Sequence, residues 1–312
     1  MSVFLGVDTS NYTTSVALFN SDTNSVISKK KLLPVEQGEV GLMQSKALFN
    51  HIRQLPEVME AAFSSFLAEE KISAVAVSSR PRGVEGSYMP VFLAGMASAH
   101  SVASALRVPC YYTSHQAGHV IAALHSAGRM DLINKPFIAF HVSGGTTEAL
   151  LVTPDDENII KCEIVAKSLD LKAGQAIDRV AVMLGLPFPG GAMLDKLSQS
   201  GEITEKIRPT LKGADCCLSG LENKCKNKMD SGEEPENVAR YAIEYIYETI
   251  KAMSDKIREQ YGDLEFLYAG GVMSNSIISS RIKGIFAAPE FSSDNAAGVA
   301  ILASMLHNKK EN

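Results

Sequence analysis

Two similar segments, more than a hundred residues apart, each place apolar residues on both sides of a polar turn. Residues 4–19 read FLGVDTSNYTTSVALF and residues 137–152 read FIAFHVSGGTTEALLV. Two apolar runs joined by a tight polar turn predict a β-hairpin. A repeat with this separation is too long for a solenoid and indicates a duplicated domain. The matching positions are Val7-Asp8-Thr9-Ser10 with Val142-Ser143-Gly144-Gly145, and Thr13-Thr14 with Thr146-Thr147.

The turn of the second hairpin has the composition of a phosphate-binding loop. Gly144 and Gly145 allow close approach to the backbone, while Ser143, Thr146 and Thr147 supply hydroxyl groups. An ordinary hairpin turn explains a Gly-Gly pair equally well. Two related lobes, each with such a hairpin facing a shared cleft, would grip a nucleotide.

Length and charge limit the possible organisation. A chain of 312 residues with 46% hydrophobic and 21% charged residues is typical of a globular protein of two domains. We predict domains at 1–134 and 135–312, with the last helix packing back on the N-terminal lobe. The formal charge of −5 argues against a general nucleic-acid-binding surface, which is normally basic.

The five cysteines are odd in number and form no CxxC pair, which predicts reduced thiols. The first residues do not resemble a signal peptide, and no apolar run reaches the length of a membrane span. We therefore expect a cytoplasmic protein with no membrane partner.

A pair of histidines suggests a metal site. Ser114 is a suitable N-cap for a helix that would place His115 and His119 on one face, four residues apart. Two such imidazoles can chelate one metal ion, and Asp294 is a candidate for the third ligand. The alternative is two unrelated histidines and a helix-capping aspartate.

Two further glycine turns precede helices, an arrangement that favours anionic ligands. One precedes a helix carrying Asp195, and the other follows a short buried strand and leads to Asn275. Asp178 lies beside the apolar stripe of another helix, where it faces either a cleft or solvent. We also expect Pro56 to open a helix and residues 226–238 to form a surface loop.

In this order, the motifs resemble the glycoprotease family, the tRNA adenosine threonylcarbamoyltransferases, over nearly the whole chain. The motifs are DTS at Asp8, HQAGH at His115, VSGGTT at Val142, KAGQAIDRVAVMLGLPFPGG at Lys172, CLSGLE at Cys217, AGGVMSN at Ala269 and SDNAAG at Ser293. The resemblance implies an α/β fold with two lobes of duplicated actin/Hsp70/sugar-kinase-like (ribonuclease H-like) topology and a nucleotide cleft between them.

The resemblance also implies the chemistry. A metal-dependent transferase would move a threonylcarbamoyl group from an adenylate to N6 of adenosine in tRNA. Asp8 would be catalytic, and a divalent metal, iron or zinc, would bind His115, His119 and Asp294. ATP or an acyl-adenylate, with or without Mg²⁺, would bind at Ser143, Gly144, Gly145, Thr146, Asp178, Gly191, Asp195 and Asn275.

The sequence also departs from the family pattern, which indicates a diverged paralogue. Thr146 stands where the family has histidine, Asn11 and Tyr12 where it has carboxylates, and Glu222 where it has lysine. One alternative is transfer of a carbamoyl-type group to another acceptor, and a second is a non-catalytic nucleotide-binding regulatory subunit. A metalloprotease is disfavoured because HxxxH lacks the glutamate of HExxH. Transfer to tRNA would need a local basic groove or a partner protein, and the chain would form a homodimer or a heteromeric complex.

Overall fold

The computed structural model describes residues 2–10, 12–34, 43–65, 70–291 and 296–311. The chain forms two compact units. The first contains Met1–Lys135, Thr153–Cys162 and Ser293–Asn312, and the second contains Pro136–Val152 and Glu163–Ser292. A hairpin tip and the last helix thus belong to the first unit, so the chain passes between the units more than once.

The first unit is built on a mixed five-stranded sheet. Its strands are β1 (Ser2–Asp8), β2 (Thr13–Asn20), β3 (Ser25–Leu32), β4 (Lys71–Arg80) and β5 (Cys110–Ser114), in the spatial order β3-β2-β1-β4-β5. Strands β1, β2 and β3 are antiparallel neighbours, while β4 runs parallel to β1 and β5. The helices that follow are α1 (Gln44–Phe63), α2 (Phe92–Leu106) and α3 (His115–Ser126), with a 3₁₀ turn at Met130–Asn134.

The second unit is built on a sheet of the same design. Its strands are β6 (Phe137–Val142), β7 (Thr147–Asp155), β8 (Ile159–Lys167), β11 (Phe266–Ala269) and β12 (Ile285–Phe286), in the order β12-β11-β6-β7-β8. A separate hairpin pairs β9 (Thr210–Lys212) with β10 (Asp215–Cys217). The helices are α4 (Ala173–Met183), α5 (Gly191–Ser198), α6 (Gly220–Asp230), α7 (Pro235–Tyr261) and α8 (Ser276–Arg281), with 3₁₀ turns at Gly271–Ser274 and Pro289–Phe291.

The two sheets confirm the duplication predicted from the two similar segments. In each sheet, an antiparallel hairpin has a third strand beside its second strand, and two parallel strands extend the sheet on the other side of its first strand. Strands β1 and β6 therefore occupy the same place in their sheets. Because β6 and β11 are parallel neighbours, the turns at their carboxyl ends lie at one edge of the sheet.

The last helix, α9 (Ala297–Glu311), packs against α3 and against strand β1 of the first unit. Its approach is close: a Cβ added to Gly6 would lie 2.9 Å from the Cα of Ala300. Side chains alternate along a strand, so Asp8 points to the same face of the sheet as Gly6. Helices α3 and α9 cover that face.

Two local expectations were wrong. Pro56 lies inside α1 and does not open a new helix. The helix continues through it because Leu55 and Val58, on either side, are buried in one core with the sheet. The segment predicted as a surface loop at 226–238 includes the end of α6, whereas the helix expected from Pro235 is present as α7. In α6 only Leu221 and Cys225 are buried, so its apolar signal is short.

None of the helices in the described part of the chain is both long and apolar enough to cross a membrane.

Candidate functional site

In the first unit, the structure brings His115, His119 and Asp8 together. The hydroxyl of Ser114 accepts a hydrogen bond from the amide of Ala117 at 3.2 Å and so caps the start of α3. One turn apart on this helix, the Nε2 atoms of His115 and His119 are 2.9 Å from each other. The other ring nitrogen of His115, Nδ1, lies 3.3 Å from Oδ1 of Asp8.

Asp8 lies at the end of β1 with none of its surface exposed. The hydroxyl of Ser10 donates to its Oδ2 at 2.6 Å. Burial by itself would raise the pKa of Asp8. The attraction of the His115 ring, together with hydrogen bonds from His115 and Ser10 and a smaller contribution from Ser78, outweighs burial and keeps the pKa below its ordinary value of 3.8. Asp8 is therefore an ionised carboxylate inside the unit.

The two histidines have a suitable arrangement for a divalent metal. Two imidazole lone pairs at this separation repel each other unless they share a proton or a metal ion, and imidazole nitrogen is a good ligand for zinc and iron. The predicted third ligand, Asp294, lies outside the described residues. Within those residues, no group of three or more His, Cys, Asp or Glu side chains could hold a metal ion.

In the second unit, the turn between β6 and β7 leaves two glycines exposed. The amide of Ser143 donates to the carbonyl of Thr146 at 2.7 Å, and the amide of Thr146 donates to the Ser143 hydroxyl at 3.2 Å. These bonds fix the turn without using the amides of Gly144 and Gly145. A Cβ added to either glycine would meet nothing within 4 Å. Within the described residues the turn therefore leaves these two amides without a hydrogen bond, as an anion-binding loop must.

Close packing holds this turn in place. Gly174, in the first turn of α4, lies so near that an added Cβ would be 2.5 Å from the amide nitrogen of Gly144. The amide of Ala173 donates to the Thr147 hydroxyl at 2.8 Å. On the β11 side, Gly270 has φ of +100°, and an added Cβ would be 2.7 Å from the carbonyl carbon of Val142. Only glycine satisfies both conditions at Gly270.

The other predicted nucleotide contacts are placed on nearby elements of the same unit. Asp178 accepts a hydrogen bond from the amide of Gly190 at 2.9 Å, which ties α4 to the turn before Gly191. Asp195 accepts bonds from the hydroxyl and the amide of Ser276 at 3.0 and 3.2 Å.

Asn275 caps α8 by accepting from the amides of Ile277 and Ile278, each at 3.1 Å. Asp195 thus bonds to Ser276, the residue that follows Asn275, while Asp178 bonds to the turn at Gly190. The carboxylates of Asp178 and Asp195 therefore each accept a hydrogen bond within the protein, in addition to the ligand contact predicted for them.

Asp170 is a residue that the sequence reasoning missed. Its Oδ1 accepts from the amides of Leu171 and Leu218 at 2.6 and 2.7 Å, and its Oδ2 accepts from the hydroxyl of Ser219 at 2.6 Å. Partial burial acts to raise the pKa of Asp170, but these hydrogen bonds outweigh it and lower the pKa to about 2. Asp170 anchors the CLSGLE segment to the start of α4. The only local signal is an aspartate two residues after Ser168, a common turn pattern.

One departure from the family pattern has a local partner. Glu222, at the position where lysine was expected, accepts an ion-paired hydrogen bond from Arg179 at 3.0 Å. Both side chains are well exposed, so the pair adds little stability. With lysine at position 222 these two side chains would carry two positive charges, whereas Arg179 and Glu222 form a neutral pair.

The duplicated five-stranded sheets and the glycine turns at their edge define a member of the actin, Hsp70 and sugar-kinase class of folds. Solved structures of this class superpose on almost all of the chain. HypF from T. kodakarensis matches with a TM-score of 0.63 and 13% identity over 99% of this chain and 48% of its own. Component A of the Acidaminococcus fermentans (R)-2-hydroxyglutaryl-CoA dehydratase gives 0.55 and 13% over 99% and 100%.

A ROK family glucokinase from Streptomyces griseus, solved with glucose and AMPPNP, gives a TM-score of 0.53 and 12% identity over 97% of this chain and 99% of its own. The chain spans about half the length of the HypF chains that it matches. At these identities the likeness establishes the fold.

The family follows from the sequence. The chain belongs to the TsaD family, tRNA N6-adenosine threonylcarbamoyltransferase, whose profile matches residues 24–301. This match confirms the family predicted from the ordered motifs.

Proposed function

We propose that this protein transfers a threonylcarbamoyl group from an adenylate to N6 of adenosine in tRNA. Membership of the TsaD family supports this reaction in general. The exposed turn at Gly144 and Gly145 supports it at the level of single residues. The amides of these two glycines make no hydrogen bond within the described residues and lie beside the start of α4. Those amides would hold the phosphate of the adenylate.

The reaction is an acyl transfer. The N6 amine attacks the carbonyl carbon of the threonylcarbamoyl group, so that a carbon–nitrogen bond forms. The bond from that carbon to the phosphate oxygen breaks, AMP leaves, and the amine loses one proton. Amides that hold the phosphate stabilise the negative charge that grows on the leaving group.

The remaining binding residues have separate tasks in this proposal. Ser143 and Thr146 would line the phosphate loop, and Asn275 and Asp195 would approach the nucleotide from the start of α8. Asp178 and Gly191 would shape the wall on the side of α5. The hydrogen bonds of Thr146, Asp178, Asp195 and Asn275 described above hold these residues without a ligand, which supports these roles.

The metal, iron or zinc, would be held by His115, His119 and Asp294. Mg²⁺ would accompany a nucleoside triphosphate. When bound, the iron or zinc would supply Lewis-acid chemistry. The chain supports this use in two ways: the Nε2 atoms of the two histidines converge, and the buried Asp8 carboxylate lies behind His115.

The tRNA must be met by a limited basic groove or by a partner protein, because the net charge is −5. Binding of tRNA to the isolated chain should then be weak and should fall steeply with salt. Tight binding that does not respond to salt would contradict this part of the proposal.

The test is a transfer assay with threonylcarbamoyl-adenylate and unmodified tRNA, followed by mass spectrometry of the tRNA nucleosides. We expect N6-threonylcarbamoyladenosine with the wild-type chain and its loss with His119→Ala. His100→Ala, a change at an exposed histidine of α2, is the matched control and should retain the product. If no modified adenosine forms although the adenylate and the tRNA both bind, the tRNA acceptor is wrong.

A second candidate is transfer of the same type of group to another acceptor. The neutral Arg179–Glu222 pair favours it, because it removes a positive charge that the family pattern predicts near the CLSGLE segment. Release of AMP without modification of tRNA is the result expected in this case. Screening of small molecules and proteins as acceptors would then follow.

A further inference from the structure

The position of Asp8 does not suit a group that touches a substrate. The residue has no exposed surface, and its carboxylate is enclosed by Ser10 and His115. Any effect of Asp8 on the reaction must therefore pass through a neighbour. That neighbour is His115, which is partly exposed and whose ring lies between Asp8 and His119.

The hydrogen bond to Asp8 decides where His115 carries its proton. A carboxylate oxygen only accepts, so the ring nitrogen 3.3 Å away must donate. The neutral ring then has its proton on Nδ1 and a lone pair on Nε2. That lone pair is directed toward Nε2 of His119, 2.9 Å away.

The surrounding contacts hold the carboxylate in this orientation. The Ser10 hydroxyl binds Oδ2 at 2.6 Å, and the Ser15 hydroxyl donates to the backbone carbonyl of Asp8 at 3.4 Å. Phe92 packs beside the His115 ring, with the ring centroids 6.4 Å apart. The imidazole thus has a fixed position as well as a fixed tautomer.

We propose that Asp8 is a positioning residue: it selects the Nδ1–H tautomer of His115 and thereby directs the Nε2 atom to a metal ion shared with His119. The inference rests on the metal site of the proposed function. Carboxylates that orient a ligating histidine typically change metal affinity by about 10- to 100-fold when they are removed.

Three variants separate the charge, the hydrogen bond and general damage to the core. Asp8→Asn keeps an oxygen that can accept from Nδ1 but removes the charge, and Asp8→Leu removes both. Thr9→Val is the matched control. Thr9 is equally buried at the same strand end, but its hydroxyl bonds to Val91 and Gly95 on the α2 side.

Zn²⁺ binding is measured by calorimetry, and the tautomer of His115 in the metal-free protein by nitrogen-15 NMR of the imidazole rings. We expect the Nδ1–H tautomer in wild type and in Asp8→Asn, and a mixture in Asp8→Leu. Affinity for Zn²⁺ should fall about 10-fold in Asp8→Asn and about 100-fold in Asp8→Leu. In Thr9→Val both readings should stay at the wild-type value even if the protein is less stable.

Wild-type affinity in Asp8→Asn, or an unchanged tautomer in Asp8→Leu, would overturn the proposal. If Asp8→Leu does not fold, the affinity of Asp8→Asn decides. Failure of tRNA transfer leaves these measurements intact, since neither uses tRNA or adenylate. If wild type binds no Zn²⁺, the metal site of the proposed function is wrong, and a mixed His115 tautomer in that protein would also remove the role of Asp8.

Discussion

The two duplicated hairpins have the same place in their sheets but opposite kinds of turn. In the first, Asp8, Thr9 and Ser10 are buried, and Thr14 is enclosed by α1, where His51 Nδ1 and Gln54 Oε1 each lie 2.8 Å from its hydroxyl. In the second, the glycines at 144 and 145 are exposed. The duplicated sheets thus have the same strand arrangement. Buried side chains occupy the first turn, whereas the glycines of the second turn are exposed.

The difference divides the work of the two units. A filled turn gives rigid support, which suits a carboxylate that acts through His115. An open turn gives donors with no partner to displace, which suits a ligand. The glycines of the second unit also differ in their surroundings. Gly144 and Gly145 are exposed, whereas Gly174 and Gly270 pack against the backbone of neighbouring residues. Substitutions can therefore separate ligand binding from folding.

The largest expected effect is at Gly270. Its φ of +100° and its contact with Val142 leave no room for a side chain. Gly270→Ala should lower the free energy of unfolding by about 3 to 5 kcal/mol, the sum of backbone strain and steric overlap. Chemical denaturation measures the loss. The control is Gly220→Ala, at a glycine where an added Cβ meets nothing within 4 Å; stability equal to that control would show that the two turns are not packed as described.

Gly145→Val tests the open turn. The added side chain meets no protein atom, so the melting temperature should stay near the wild-type value. It would lie where a phosphate must approach, so affinity for an adenine nucleotide should fall on the order of 100-fold, or about 2.7 kcal/mol. Calorimetry with ATP measures the change. Gly220→Val is the control, and an affinity for ATP equal to wild type in Gly145→Val would contradict a phosphate site at this turn.

Thr9→Val tests the filled turn. It removes a hydroxyl that donates to the carbonyl of Val91 at 3.0 Å and accepts from the amide of Gly95 at 3.1 Å. Because the amide is left unsatisfied in the core, stability should fall by about 1 to 3 kcal/mol. Affinity for ATP should not change. A fall in ATP affinity without a fall in stability would reverse the roles assigned to the two turns.

The smallest effect concerns acid. Asp170 has a pKa of about 2 in the folded protein, below its ordinary 3.8. Its contribution to stability is therefore complete above about pH 4 and is lost as the pH falls toward 2. In Asp170→Asn this part of the acid dependence should be missing, and stability near pH 7 should be lower. Denaturation curves at several pH values measure both, and curves parallel to wild type between pH 4 and 2 would exclude the effect.

Part of this structure could be predicted from the sequence because its cause is local. The two hairpins follow from apolar runs around polar turns, and the N-cap at Ser114 places His115 and His119 on one helix face. The enclosure of Thr14 could not be predicted, since His51 and Gln54 come from a helix about 40 residues away. The burial of Asp8 behind His115 depends likewise on contacts across the sheet, more than a hundred residues apart in sequence.

The helix errors have a similar origin. A proline normally marks a helix start or a break, but the core on both sides of Pro56 outweighs that preference. Asp170 escaped notice because its partners, Leu218 and Ser219, lie 48 and 49 residues further along the chain. Recognition of the family located the motifs, whereas only the packing showed which motif residues support others.

The packing of α9 on β1 and α3 has a consequence for biosynthesis. A ribosome releases the second unit, through residue 292, before it releases the helix that covers Gly6 and Asp8. Until α9 emerges, one face of the first sheet lacks its cover at Gly6. The first unit is therefore completed only after the second unit has been synthesised, although most of its residues are made early.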